Sequence, residues 1–321
     1  MDEFLDSYVA KNGSKSSSTK TTLRTSIKRL EKIIRLPFEE WTKSTFKNYN
    51  EIVNILIEDY SVNTIILTIL AIIRFLEYKE ADEKEIDNYK GVLNDLVQER
   101  KKTEHSQEIT AEEKANWITY PELKKRVEKL GENYLKPIGK KAFSKMRNFV
   151  ILALYSLQPP TRIGNYLDMK IRNNCKRDIK SLNKKHNYIC KEEDGKYKMV
   201  FNKYKTSKYL GKIVHVIENE MLNKLLDKYI TQYVKGDVLF TNANGKPITQ
   251  PNFTQAQQSV SKNLLGKTLT TNDFRHIFLS WFQSQNPSIE EKEKIATLIG
   301  QTYKPSRMEL YAKKDGDEMV V

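Results

Sequence analysis

Apolar residues recur at helical spacing through the first hundred positions. Leu23, Ile27, Leu30 and Ile34 fall on one helical face behind the candidate caps Ser17, Ser18 and Thr19, and Pro37 stops that helix. A second helix spans about Val62 to Glu77, with Ser61 or Asn63 as its cap. It contains the most apolar stretch of the chain, Ile65 to Leu76, which is broken by Thr68 and Arg74. That stretch falls short of the ~20 residues a membrane span needs, so it reads as a buried core helix. A third helix covers about Glu83 to Arg100. From Lys101 to Glu108 the apolar period stops. Residues 103–110 therefore read as a linker between a helical domain, 1–102, and a second domain, 111–321.

The second domain changes pattern. Thr110 and Glu113 have the spacing of a capping box, and Phe143 to Leu157 is an apolar helix ended by Pro159-Pro160. Asn187–Cys190 and Lys196–Tyr204 read as strands around the turn Glu193-Asp194-Gly195, and Lys212–Ile217 as a third. Helices resume at Glu218–Tyr229, Asn252–Lys262, Asn272–Gln283 and Ser288–Ile299. Ser288 and Glu291 form another capping box, and Gly300 sits where a C′ glycine belongs. The expected fold class is mainly α with a small antiparallel β-sheet in the second domain, α+β.

Charge narrows the range of partners. The 321 residues carry 55 Lys+Arg against 41 Asp+Glu, a net charge of +14. Such a surface implies a polyanion, nucleic acid first, with an anionic membrane surface or a ribosomal site as the bland rivals. The 39% hydrophobic content suits a globular chain. Met1-Asp2-Glu3 lacks the basic start of a secretory leader, so the expectation is a soluble, intracellular protein with no membrane segment. Cys175 and Cys190 form no CxxC pair and lie far from clustered histidines. They read as reduced thiols rather than zinc ligands, with a disulfide left open.

Four features carry chemistry. Pro159-Pro160-Thr161-Arg162-Ile163-Gly164-Asn165 places an arginine at a tight turn after the buried helix. Asn202-Lys203-Tyr204-Lys205-Thr206-Ser207-Lys208 lies at a strand end where a hairpin turns. Asn272-Asp273-Phe274-Arg275-His276 opens an amphipathic helix, although Asn272 also suits an N-cap and the first turn is a poor place for a cation. Ile299-Gly300-Gln301 is followed by Met308-Glu309-Leu310-Tyr311. Alone, each arginine or lysine is an ordinary surface charge, and Tyr311 is one of 17 tyrosines with Tyr303 as its nearest competitor. Their order along the chain sets them apart.

Over residues 110–314 that order resembles the tyrosine recombinases, most closely the integrases of large eukaryotic DNA viruses and their parasites. The resemblance implies a two-domain architecture, with residues 1–102 as a helical core-binding domain. It implies a site-specific recombinase that cuts and rejoins duplex DNA through a 3′-phosphotyrosyl intermediate, without ATP, metal or other cofactor. Matched position by position, Tyr311 is the nucleophile, Arg162 and Arg275 the two arginines, and Lys205 the hairpin lysine, with Lys203 and Lys208 as alternatives. Asn272 and Gln301 stand where the family carries histidines. Tyr311 lies ten positions after Gln301, about one more than is usual, so Thr302 is the alternative to Gln301. His276 reads as a supporting histidine.

The residue types suit the reaction. A phosphodiester transition state gains negative charge, and arginines supply fixed planar donor forks that stay charged. A tyrosine oxygen attacks phosphorus, and a lysine can give the leaving oxygen its proton. Asn and Gln donate amide hydrogen bonds but cannot act as acids or bases. The resemblance also implies a homotetramer on DNA, monomeric or dimeric when free, with any exchanged C-terminal tail a short one. The stripe Arg24, Lys28, Lys32, together with Lys203 and Lys208, is the expected phosphate-contacting set. The alternatives are a type IB topoisomerase and a DNA-binding protein with a decayed site.

Overall fold

The computed structural model describes residues 1–11, 17–137, 139, 142–172, 182–304, 308, 311–316 and 318–320. The chain divides into two compact units, Met1–Ser106 and Gln107–Val321.

The first unit is helical: α1 (Asp2–Lys11), α2 (Ser17–Ile34), α3 (Tyr49–Asp59), α4 (Val62–Tyr78) and α5 (Glu83–Ser106). Leu23, Ile27 and Leu30 bury the apolar face of α2, and α4 buries nine residues from Ile65 to Leu76. Phe75 meets the rings of Phe38, Trp41 and Phe46 edge-on at 5.4–5.6 Å, an arrangement aromatic quadrupoles favour. Arg24, Lys28 and Lys32 are exposed on α2, and Arg24 forms an ion pair with Asp2. α1 and α3 went unseen in the sequence. Helix α5 runs through Ser106, so residues 103–106, expected as linker, are helical. Apolar period marks burial rather than helicity. Lys101, Lys102 and Thr103 are exposed and extend the helix without a buried face. No helix among the described residues is long and apolar enough to cross a membrane.

The second unit begins with α6 (Ala111–Asn116) and α7 (Tyr120–Leu135). At its centre stands α8 (Phe143–Ser156), in which every residue from Phe149 to Ser156 is buried. Around α8 pack α7, α10 (Glu220–Gln232), α11 (Gln250–Leu265) and α12 (Thr271–Ser284). The capping boxes expected at Thr110/Glu113 and Ser288/Glu291 are both formed.

A four-stranded sheet lies beside this bundle. Its order is β1 (Lys170–Arg172), β2 (Tyr188–Lys191), β3 (Tyr197–Phe201), β4 (Ile213–Val216). The three strands expected from sequence pair antiparallel as β2–β3–β4. The added β1 runs parallel to β2, so the sheet is mixed and not purely antiparallel. Only three residues long, β1 is too short to show an alternating pattern. Between β3 and β4 lie a turn and the short helix α9 (Ser207–Leu210), and α13 (Ile289–Leu298) packs against β4.

Cys190 is fully buried on β2 and disulfide-bonded, so the expectation of reduced thiols fails there; Cys175 lies outside the described residues. The strands β5 (Lys314–Asp315) and β6 (Glu318–Met319) form a small second sheet. Lys314 also exchanges backbone hydrogen bonds with the start of the unit, donating to Gln107 O at 2.9 Å and accepting from Ile109 N at 2.8 Å.

Candidate active site

The site is organised by the C-terminus of α13. Gly300 adopts φ +70°, a left-handed conformation that suits glycine. Gly300 N donates to Thr297 O at 2.9 Å and Gln301 N to Ala296 O at 2.8 Å, the paired bonds of a Schellman motif. This closes α13 and leaves the carbonyls of Ile299 and Gly300 facing outward at the negative end of the helix dipole.

Both candidate arginines converge there. Pro159-Pro160 ends the backbone run of α8 and turns the chain, leaving Arg162 half-buried ahead of the helical turn Ile163–Asn165. Its Nη1 donates to Gly300 O at 2.6 Å. Arg275 lies in the first turns of α12 and is only 2% exposed. Its Nη1 donates to Pro160 O at 3.0 Å and to Ile299 O at 3.3 Å. Thus Arg275 bonds both the loop that carries Arg162 and the turn that Arg162 reaches. Its Nη2 is buried and finds no hydrogen-bond partner among the described residues. An orphaned guanidinium donor in so buried a place calls for an anionic partner.

Asn272 does not cap α12. Thr270 does, accepting from Asp273 N, while the Asp273 carboxylate accepts from Thr270 N at 2.7 Å. That carboxylate suits the positive end of the helix and offsets Arg275 beside it. Asn272 is one residue inside the helix and exposed. Gln301 is buried, with Oε1 unpartnered, whereas Thr302 is partly exposed.

Tyr311 is half-buried, its ring 5.2 Å from the guanidinium carbon of Arg275. Its backbone is held by α12 from both sides. His276 Nδ1 lies 2.8 Å from Tyr311 O, and Lys313 N donates to Ser280 Oγ at 2.8 Å. A carbonyl only accepts, so the proton of His276 sits on Nδ1. Burial pushes the imidazole below its ordinary value of 6.5, against the opposing pull of that bond, and Lys313 nearby adds to the lowering. His276 is therefore neutral near pH 7 and anchors the tyrosine segment. Tyr303 packs on the core at the rim.

Lys205 and Lys203 are exposed in the turn between β3 and α9, and Lys208 is exposed on α9 itself. The turn itself is tied to the site, because Thr206 Oγ1 donates to Gly300 O at 2.8 Å, the same oxygen that Arg162 reaches. The structure thus brings Arg162, Arg275, Gln301, Tyr311 and the Lys205 turn around one glycine, and leaves Asn272 and the lysine side chains at the surface. Sequence reasoning missed Thr206 as a tether, whose only signal was its place next to Lys205. It also left open what His276 supports.

No family model matches the chain, and no curated protein matches it in sequence. Solved structures do match in fold. A lambda integrase dimer bound to a COC′ core site is 14% identical with a TM-score of 0.55, covering 99% of this chain and 78% of that one. A shorter form of lambda integrase on the same core site, residues 75–356, gives 14% and 0.54, covering 99% of this chain and 97% of that one. XerH site-specific recombinase bound to its difH substrate is 12% identical with a TM-score of 0.50, covering 91% of this chain and 73% of that one. The chain has the fold of the tyrosine recombinases.

Proposed function

We propose that the chain is a DNA strand transferase of the tyrosine recombinase type. One observation carries the reading: two arginines distant in sequence meet at the Gly300 turn, with the Tyr311 ring against the buried guanidinium. Likeness of fold to recombinases solved on DNA supports it.

In this reading a phosphate of duplex DNA sits against Arg162 and Arg275 and takes up the free Nη2 donor. Tyr311 Oη gives up its proton to solvent as it attacks phosphorus, and the bond from phosphorus to the 5′-oxygen breaks. Lys205 gives its proton to the departing oxygen, and the strand remains joined to Tyr311 as a 3′-phosphotyrosine. Attack by a 5′-hydroxyl reverses these steps and reseals the strand. The bond energy stays in the phosphotyrosine, so resealing draws on no nucleotide. The arginines hold the added charge of the transition state. Gln301 and Asn272 donate amide hydrogen bonds in place of acid–base groups. Exposed Arg24, Lys28 and Lys32 of the first unit, and Lys203 and Lys208 of the second, contact other phosphates of the duplex. Site specificity and a tetramer on DNA belong to the same proposal.

The test is a nicked duplex, drawn from DNA flanking the coding sequence, in which cleavage traps the covalent adduct. Trypsin cuts after Arg307 and Lys313, so the DNA should appear on the peptide from Met308 to Lys313. Tyr311→Phe should bind DNA and fold normally, since one hydroxyl contributes about 1 kcal/mol, yet yield no adduct. An adduct on the separate peptide holding Tyr303 would move the nucleophile. DNA binding with no adduct would favour a chain that only binds.

A further inference from the structure

One buried side chain joins the two loops of the site. Asn187 stands just ahead of β2 and is 4% exposed. Its Oδ1 accepts from the backbone N–H groups of Asn202 at 2.9 Å and Lys203 at 2.8 Å. Its Nδ2 donates to Asn165 O at 2.8 Å and Lys203 O at 2.9 Å. A side-chain amide offers two donor hydrogens and two acceptor lone pairs, and all are used here. The partners also fix the orientation of the amide, because a flipped group would set its NH2 against two N–H donors.

The bonds run to two places that matter. Asn165 closes the turn that begins at Arg162, donating its backbone N–H to Arg162 O at 3.0 Å, and its side chain bonds Thr161. Lys203 lies two residues before Lys205. Asn202 adds a reciprocal bond, donating from Nδ2 to His186 O at 3.0 Å. The Arg162 loop and the Lys205 turn are thus joined twice, once through Asn187 and once through the Gly300 carbonyl that Arg162 and Thr206 share.

We propose that Asn187 is a positioning residue that sets the Lys205 turn against the Arg162 loop and so places the lysine for proton delivery. The inference rests on the role given to Lys205 above. A lysine on an exposed turn reaches one oxygen reliably only if its backbone is held, and misplacement by about 1 Å can lower a rate on the order of 10²-fold. Asn187 holds both loops, through four hydrogen bonds.

The experiment compares two cleavage substrates, one with the natural 5′-oxygen leaving group and one with sulfur in its place. A thiolate departs without a proton, so it does not need Lys205. Asn187→Ala should lower adduct formation on the oxygen substrate by roughly 10- to 100-fold and on the sulfur substrate by under about threefold. Amide hydrogen exchange should quicken at Asn202 and Lys203 and stay unchanged along Tyr197–Phe201. If the alanine chain does not fold, Asn187→Ser keeps one acceptor and takes its place. Equal loss on both substrates, or wild-type rates on both, overturns the inference. So does a serine variant that also fails to fold, since Asn187 would then serve the whole unit and not the turn. A wild-type chain that forms no adduct with either substrate is a different result and sinks the parent reading.

Discussion

The two sides of the site are built differently. On the arginine side, Arg275 is almost wholly buried and bonds two backbone carbonyls, while Arg162 is tied to a third. Two of the three acceptors, Ile299 O and Gly300 O, sit at the negative end of α13, so the positive charges are oriented before any ligand arrives. On the opposite side, Lys205 is exposed and Tyr311 only half-buried, and their backbones rather than their side-chain tips are held. Charge stabilisation needs groups that do not reorganise during the reaction. Proton delivery and nucleophilic attack need groups whose tips move toward a scissile bond. The burial pattern divides the labour along that line.

The sharpest way to break this comparison is to loosen the buried side. Arg275→Lys keeps the charge but replaces a planar group, whose Nη1 bonds Pro160 O and Ile299 O and whose Nη2 is left for a ligand, by a single ammonium. Adduct formation should fall on the order of 10²–10³-fold, with a measurable drop in the urea midpoint. Arg162→Lys should lose activity on a similar scale with a smaller stability change, its side chain being half-exposed. Equal stability losses in the two variants would deny that Arg275 is the more structural of the pair.

Removing the exposed side should be cleaner. Lys205→Ala should slow cleavage of the oxygen substrate by about 10²-fold or more, leave the unfolding free energy in urea within about 0.5 kcal/mol, and be rescued by the sulfur leaving group. Full activity in that variant would hand the role to Lys208 or Lys203.

A smaller effect is expected where the chain departs from the family pattern. Asn272→His should leave cleavage within about tenfold of wild type, because an exposed amide in the first turn of α12 can act only by position. A gain well beyond that would mean the native site lacks an acid–base group it needs.

The smallest effect concerns pH. His215 stands on β4, its Nε2 3.0 Å from Gln158 Oε1 just ahead of Pro159-Pro160, and burial holds it down at about 4, against 6.5 for a free histidine. Glu218 opposes that shift and Lys294 adds to it. A base that resists protonation in the folded state gives full stability above pH 6.5. Stability then falls as the unfolded chain takes up protons between 6.5 and about 4. From pH 7 to pH 6 the loss from His215 should be about 0.5–1 kcal/mol in urea unfolding. His215→Gln should flatten that slope, and an unchanged slope would place the titration elsewhere.

Much of this was legible in the chain itself. The apolar faces of α2 and α4, the strands β2 to β4, both capping boxes and the left-handed Gly300 follow from local rules, and each is present. Helix α7 was missed despite a buried face of Leu123 and Val127, and β1 was missed because its pairing is non-local. Thr270 as the cap of α12 was overlooked in favour of Asn272, two residues on. Both are good capping types, and the choice depends on which backbone leaves the extended region first.

Sequence alone determined the helical character of both parts, the basic surface, and which arginines, lysines and tyrosines deserved scrutiny. Periodicity, capping chemistry and charge are local quantities that a chain carries wherever it goes. Tertiary structure decided that Arg275 is buried and Lys205 exposed, and that one glycine carbonyl receives both Arg162 and Thr206. It also decided that Asn187, which the sequence marked only as the start of a strand, uses all four of its hydrogen bonds to join two loops. Those facts depend on which segments pack together, and packing between distant segments is set by the whole core rather than by any window of sequence.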